Sequence, residues 1–131
     1  MLNQIVPRYQ PEGSKLCGQT CIAMIAGISL GDAIQRAGKQ GGTTGPDLRK
    51  ALYRIGIPSS EKMVRLGARG KVPRKRFDFG VLPKRCIAKV RSTGVKESHW
   101  VLVWDGEIHD PYPGYVPWKY VSGYIEIKKE G

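Results

Sequence analysis

Apolar positions in the first part of the chain recur at the spacing of an amphipathic helix. Cys17, Cys21, Met24 and Ile25 fall at i, i+4, i+7 and i+8, which places them on one helical face. Gly27 follows shortly after, and glycine is the residue that most often ends a helix. The pattern therefore predicts a helix that begins at Cys17 and ends before Gly27.

The same period predicts two further helices. Ser29 is a natural N-cap for a helix that ends at Gly38, and Thr44 can cap another that ends at Gly56. Between them, residues 39–45 read KQGGTTG, a composition typical of a loop. The first half of the chain is thus predicted to form three short helices.

The second half of the chain has the patterns of strands. Residues 85–91 alternate in polarity with the even-numbered positions facing inward, and residues 98–104 are apolar on both faces, as in a strand covered on both sides. The Asp-Gly dipeptide that follows is a preferred hairpin turn, after which residues 107–110 return. Residues 120–128 supply a further strand. Helices followed by an antiparallel sheet indicate an α+β fold.

The predicted hairpin brings two polar side chains to one face of the sheet. With a two-residue turn, Leu102 lies opposite His109 and Val101 lies opposite Asp110. Asp110 is then the diagonal neighbour of His99 on the same face, about 7–8 Å away between Cα atoms and within reach of its side chain. His109 faces the opposite side. The register therefore predicts a hydrogen bond between Asp110 and His99.

Cysteine and histidine side chains are also zinc ligands, so a metal site is an alternative. Cys17, Cys21, His99 and His109 would be four zinc ligands, a Cys-x3-Cys pair with two histidines. The predicted register separates the two histidines, which disfavours this site. A one-residue slip of the hairpin would bring them to the same face, so the alternative depends on the register.

The position of Cys17 at the start of the first predicted helix allows a reactive thiol. Unpaired amide groups and the positive end of the helix dipole favour a thiolate there, and a nearby imidazole would favour it further. The alternative is a small buried apolar side chain, the role expected of Cys21 and Cys86. Cys17 and Cys21 are four apart on a helix, about 5–6 Å between Cβ atoms and too far for a disulfide.

The composition indicates one folded domain over residues 1–131. Hydrophobic residues make up 40% of the chain and charged residues 25%, which is typical of a globular protein and not of a disordered one. No apolar run approaches the length of about 18 residues that a membrane-spanning helix needs. The first residues also lack the continuous apolar stretch of a secretion signal, so a cytoplasmic location is the expectation.

Positive charge is concentrated in one part of the chain. The net charge is +11, and residues 62–91 hold eleven Lys and Arg against a single acidic residue, Asp78. Six of these cations lie within residues 65–76 and two phenylalanines follow them, which predicts contact with an acidic protein or a nucleic acid. A solvated charged loop is the alternative, because residues 58–83 show no periodicity.

Four segments of the chain resemble the bacteriocin-processing cysteine peptidases, papain-like domains that remove double-glycine leader peptides. The family's nucleophile helix is similar to CGQTCIAMIAG, its Gly-Thr-Thr segment and following helix to GTTGPDLRKALYRIGI, and its histidine strand with a returning Asp-Pro to HWVLVWDGEIHDP. Its closing strand is similar to PWKYVSGYIEI. The motifs follow one another in order over residues 10–127, and they imply a papain-like cysteine peptidase fold.

Carried over to this sequence, the resemblance implies a catalytic triad. Cys17 would be the nucleophile, His99 the general base and Asp110 the residue that fixes the imidazole tautomer. The family's oxyanion-hole glutamine usually lies one residue closer to the nucleophile than Gln10, which is seven residues before Cys17. An extra loop residue would still allow Gln10 that role, with Gln19 as the alternative.

The resulting prediction is a cysteine peptidase that acts through an acyl-enzyme on a peptide or protein and needs no cofactor. The same residues would serve a related amidase or deamidase. A second hypothesis is a catalytically weak papain-like module that binds an acidic protein or nucleic acid through residues 62–91. The sequence indicates no particular oligomeric state.

Overall fold

The structure, a computed structural model, describes residues 5–66, 82–91, 98–112 and 120–128. Three helices precede a five-stranded antiparallel sheet, which confirms the α+β prediction. The elements are α1 (Cys17–Ala26), α2 (Leu30–Ala37), α3 (Gly45–Ile55), β1 (Val64–Arg65), β2 (Arg85–Arg91), β3 (His99–Trp104), β4 (Glu107–His109) and β5 (Tyr120–Glu126).

All three predicted helices are present with the predicted starts and ends. The Ser29 hydroxyl accepts a hydrogen bond from the amide of Asp32 at 3.0 Å. At the start of α3, Thr44 and Asp47 form a capping box, in which each side chain accepts from the amide of the other residue. Each helix ends at a glycine in the left-handed region, where other residues would be strained: Gly27, Gly38 and Gly56.

The sheet has the strand order β1-β5-β2-β3-β4. All six residues of β3 are buried, which confirms the prediction of a strand covered on both faces. The sequence pattern does not predict β1, whose two residues fall in the segment without periodicity and are held by pairing with Tyr124 and Gly123 of β5. Most of that segment, residues 67–81, lies outside the described residues.

Two hydrophobic clusters cover the two faces of the sheet. The helices pack on the face that carries Ile87, Leu102 and Ile125. The opposite face carries a second cluster, which consists of Cys86, Ala88, Val90, Val101, Val103 and Val121. The even-numbered positions of β2 are therefore buried as predicted, but on the side of the sheet away from the helices.

The hairpin between β3 and β4 has the predicted turn and register. Asp105 and Gly106 both have positive φ, 53° and 87°, as a two-residue type I′ turn requires. Leu102 pairs with His109, which confirms the predicted register. The ladder ends at that pair, one residue earlier than predicted, so Asp110 lies just beyond β4.

No single helix among the described residues is long and apolar enough to cross a membrane. The helices α1 and α2 reach the necessary length and composition only as a pair, and the pair is bent by 110°. Within this fold, residues 18–25 of α1 are buried.

Candidate active site

Cys17 is the first residue of α1 and the only cysteine with an accessible side chain. It is partly exposed, whereas Cys21 and Cys86 are fully buried, and all three are free thiols. The preceding residue, Leu16, makes no side-chain cap, and the first turn of the helix holds no acidic residue. The sulfur of Cys17 therefore lies at the positive end of the helix dipole, beside the first amide groups of α1.

The environments of the other two thiols oppose ionisation. Burial, together with the charge of Glu126, raises the pKa of Cys86 to about 12. Burial also raises the pKa of Cys21 well above its usual value, and the neighbouring Cys17 adds to this effect. Both thiols stay protonated at neutral pH, in agreement with their predicted role as small buried side chains.

His99 begins β3 and is held in place by Asp110. Its ring Nε2 lies 2.7 Å from Asp110 Oδ1, the contact predicted from the hairpin register. The same carboxylate oxygen accepts a hydrogen bond from the amide of Tyr112 at 2.9 Å, which fixes the position of the carboxylate. Because Asp110 engages Nε2, the other ring nitrogen, Nδ1, is left for a second partner.

Cys17 is the second partner of the His99 ring, which it contacts by a hydrogen bond and by charge. Burial opposes the charged form of His99, but hydrogen bonds with Asp110 and Cys17, and the negative charges of both, raise its pKa to about 9. At neutral pH the ring is therefore an imidazolium. A thiolate beside an imidazolium is the pairing that activates a cysteine as a nucleophile.

Gln10 is buried beside the loop that follows β4. Its backbone amide donates to Pro111 O at 2.8 Å, and its side-chain Nε2 donates to Ser14 O at 2.8 Å. The amide of Ser14 donates to Pro11 O at 3.0 Å and closes a turn between Gln10 and Cys17. A primary amide has two protons, so Nε2 carries a second proton besides the one that it donates to Ser14 O.

Gln19, the alternative oxyanion donor, has a different role. Its side chain is fully buried, and its Nε2 donates both protons, to Lys39 O at 2.9 Å and to Gly41 O at 2.8 Å. No proton remains for a substrate. Gln19 instead fixes the loop between α2 and α3 against α1, which excludes it as an oxyanion donor.

Thr43 connects the helix of the nucleophile with the strand of the base. A Cβ on Gly18 would lie 2.1 Å from Thr43 Oγ1 and 2.9 Å from Leu48 Cδ2, so only glycine fits beside Cys17 at this contact. The indole Nε1 of Trp100 donates to Thr43 O at 3.1 Å. The sequence alone does not predict this role of Thr43. Its place in the Gly-Thr-Thr motif is the one indication.

Tyr112 is a second site residue, and its position in the sequence indicates that it lies near the site. Its ring stands at 90° to the His99 ring, with 6.4 Å between the centroids, and its amide binds the carboxylate of Asp110. The side chain is 38% exposed. Its place directly after the Asp-Pro dipeptide was the only indication. Tyr115, which follows three positions later in the sequence and carries the same expectation, lies outside the described residues.

The geometry does not support the zinc alternative. His109 pairs with Leu102 in the middle of β3, whereas His99 begins that strand, and the odd separation of positions 99 and 102 directs the two histidines differently. Within the part of the chain that the structure describes, no group of three or more His, Cys, Asp or Glu side chains could hold a metal ion. The hairpin slip that this site requires is not present.

Comparison with models of known protein families gave no match, and comparison with characterised proteins gave none either. The resemblance to the bacteriocin-processing peptidases therefore stays a prediction from the sequence motifs. The functional assignment rests on the geometry of Cys17, His99 and Asp110.

Proposed function

We propose that this protein is a cysteine peptidase of papain-like fold. The observation that carries the proposal is the line of contacts from Cys17 through His99 to Asp110, in which the imidazole and carboxylate are 2.7 Å apart. A thiol at a helix start, an imidazolium beside it and a carboxylate behind the ring are the parts that covalent acyl transfer needs. The packing of α1 on the helix-facing side of the sheet supports the papain-like fold that the sequence motifs imply.

In the first half of the proposed reaction, the Cys17 thiolate attacks the carbonyl carbon of the substrate amide. A carbon–sulfur bond forms while the carbonyl π electrons move onto oxygen. As the oxyanion collapses, the carbon–nitrogen bond breaks and His99 transfers its Nδ1 proton to the leaving nitrogen. The products are a free amine and a thioester on Cys17. Asp110 keeps the ring oriented with Nδ1 toward the sulfur.

In the second half, water attacks the carbonyl carbon of the thioester. The neutral His99 accepts a proton from the water at Nδ1 as the carbon–oxygen bond forms. The carbon–sulfur bond then breaks, the acid product leaves, and the thiolate of Cys17 again faces an imidazolium. The cycle needs no group beyond the substrate and water.

Two donors are proposed for the oxyanion that forms in each half. The amide of Cys17 is one, because the first amides of a helix have no intrahelical acceptor. The second is the free Nε2 proton of Gln10, whose backbone is tied to the loop that carries Asp110. Gln10 keeps this role in the proposal although it lies one residue further from the nucleophile than the family pattern.

The substrate class is proposed on two different grounds. The sequence motifs, and not the site geometry, imply cleavage after a double-glycine leader. The geometry fits amide hydrolysis in general, so a deamidase would use the same steps with ammonia as the leaving group. The two activities differ in their products, since a peptidase releases two fragments and a deamidase leaves the chain intact.

Digestion of a proteome-derived peptide pool tests the proposal across many sequences at once. Wild-type protein is expected to create new C-termini that mass spectrometry detects, and Cys17→Ala is expected to create none. Cys86→Ala is the matched control, because it removes a buried thiol far from the contacts of His99. Equal products from wild type and Cys17→Ala, or no products at all, would contradict a peptidase, and deamidated intact peptides would reassign the reaction.

The binding-module hypothesis rests on charge alone. Residues 67–81, which hold most of the predicted contact segment, lie outside the described residues. A biological effect that survives in Cys17→Ala would favour binding over catalysis. The cytoplasmic location likewise stays a prediction from the sequence.

A further inference from the structure

The outer face of α3 carries positive charge around one exposed aromatic ring. Leu48, Ala51 and Leu52 of this helix face the core. Tyr53, by contrast, is 85% exposed, and among the described residues its ring makes no contact with another ring or with a cation. An open groove of about 420 Å³ lies on this face, and its lining residues are Pro46, Arg49, Lys50, Tyr53 and Arg54.

The charged neighbours of Tyr53 distinguish it from an ordinary surface tyrosine, since single apolar side chains are common on protein surfaces. Arg49 and Lys50 precede it by about one helical turn, and Arg54 follows it directly. The one acidic residue of α3, Asp47, is engaged by a lysine of the preceding loop. Within the described part of the chain, no carboxylate forms an ion pair with any of the three cations around the ring.

Both arginines of this face are held in place by backbone carbonyl groups. Arg54 Nη1 donates to Arg36 O at 3.1 Å, in the last turn of α2, where carbonyl groups lack helical partners. Arg49 Nη1 donates to Glu61 O. A carbonyl group orients a guanidinium without neutralising its charge, and other N–H donors of the guanidinium remain. An oriented guanidinium suits phosphate, because less side-chain entropy is lost when the planar group binds.

The chemistry of the outer face of α3 fits single-stranded nucleic acid better than a protein. A base stacks on an exposed aromatic ring while cations beside the ring hold phosphates. A stable protein interface buries about 800 Å² on each partner, around an apolar centre with few charges. Of the five lining residues, three are cations and only Pro46 and Tyr53 are not. A second copy of the chain would bring like charge against this face, since the net charge is +11.

We propose that the outer face of α3 binds single-stranded nucleic acid, with one base stacked on the Tyr53 ring. The three cations beside the ring hold the adjoining phosphates. The face extends about 12 Å along the helix axis, the length of roughly three to four nucleotides. This binding is independent of the proposed peptidase activity, since it uses none of the same residues. It also involves a different part of the chain from residues 62–91.

Fluorescence anisotropy with a labelled single strand of about twelve thymidines tests the proposal on the full chain. Wild-type protein is expected to bind at low ionic strength and to lose affinity as salt is added. Tyr53→Ala should weaken binding about tenfold, because one stacked base is lost, whereas Tyr53→Phe should bind as wild type does. Tyr9→Ala is the matched control, since Tyr9 is 61% exposed and lies outside α3, and it should keep the wild-type affinity.

A second variant tests the phosphate contacts. Lys50→Gln removes an exposed cation of the face. It should reduce the slope of log affinity against log salt concentration by about 0.7, because one phosphate fewer is neutralised. Lys128→Gln is the matched control, since Lys128 is an exposed cation outside α3, and the slope should stay as in wild type. Circular dichroism establishes that each variant is folded.

Several results would overturn the proposal. One is the absence of binding at low ionic strength, and another is an equal affinity in Tyr53→Ala and Tyr9→Ala. If Tyr53→Ala loses as much affinity for a duplex as for the single strand, the ring does not stack on bases. Equal salt slopes in Lys50→Gln and Lys128→Gln would exclude phosphate contacts at α3. Tighter binding of polyglutamate than of the single strand, lost in Tyr53→Ala, would reassign the face to an acidic protein.

Discussion

The start of α1 and the middle of β2 each carry a cysteine, and the two thiols have opposite chemistry. Cys17 is partly exposed at a helix terminus with the His99 ring beside it. Cys86 lies between Val103 and Glu126 on the neighbouring strands, where burial and a negative charge raise its pKa to about 12. Reactivity therefore follows from what surrounds the sulfur and not from the residue type.

The largest expected difference between the two regions is in alkylation rate. Near pH 7, iodoacetamide should modify Cys17 at least about 1,000-fold faster than Cys86, because Cys86 is buried and almost entirely protonated. Peptide mapping by mass spectrometry after timed quenching measures both rates in one sample. Alkylation rates of Cys17 and Cys86 within about tenfold of each other would contradict the expected difference in reactivity.

The next prediction removes the cation beside Cys17. His99→Asn should slow alkylation of Cys17 by about 100-fold near pH 6, since the thiolate loses the imidazolium that stabilises it. His109→Asn is the matched control, because it changes a histidine of the same hairpin that faces the other side. An equal slowing in both variants would show that the effect comes from the hairpin and not from the His99 ring.

The free energy of unfolding is expected to fall as the pH rises, in two separate pH ranges, one for each region. The pKa of His99 is raised from 6.5 to about 9, so its contribution is complete below pH 6.5 and is lost as the pH rises to about 9. The pKa of Cys86 is raised from 9.0 to about 12, so its contribution is lost above pH 9. The His99 range corresponds to roughly 3 kcal/mol of unfolding free energy.

Denaturant unfolding at a series of pH values measures both ranges. His99→Asn should remove the fall between pH 6.5 and about 9, and Cys86→Ala should remove only the fall above pH 9. If His99→Asn leaves the lower range unchanged, the imidazolium is not stabilised in the folded state.

A smaller effect is expected when the orienting carboxylate is neutralised. Asp110→Asn should slow alkylation of Cys17 by about tenfold, because an amide still binds the ring but no longer favours its charged form. Asp105→Asn in the same hairpin is the control, since that side chain is exposed and pairs with Arg85. If Cys17 is alkylated at the same rate in both variants, the result would contradict the orienting role of Asp110.

The parts of the fold that were predicted are those that local chemistry determines. Ser29 and Thr44 cap their helices through hydrogen bonds within four residues, and the Asp-Gly dipeptide sets the hairpin turn by its positive φ angles. The Asp110–His99 contact follows from that turn by counting residues. For the same reason β1 was missed, because its two residues have no pattern of their own and depend on pairing with β5.

The site was predicted less completely, because it joins distant parts of the chain. The contact between Cys17 and His99 spans more than half of the sequence, and only the resemblance to known peptidases suggested it. Gln19 binds carbonyl groups at Lys39 and Gly41, and Thr43 packs against the first turn of α1. Hydrophobic periodicity does not predict such contacts, because they form only when the helices and strands pack together.

The most direct test of the central claim is the pKa of His99, measured by NMR titration of its ring in wild type and in Cys17→Ala. The Cys17–His99–Asp110 contacts predict a value of about 9 in wild type. They also predict a clearly lower value in Cys17→Ala, because burial then acts against the imidazolium with only Asp110 to support it. A His99 pKa near 6.5 in wild type, or one that does not change in Cys17→Ala, would contradict the thiolate–imidazolium pair.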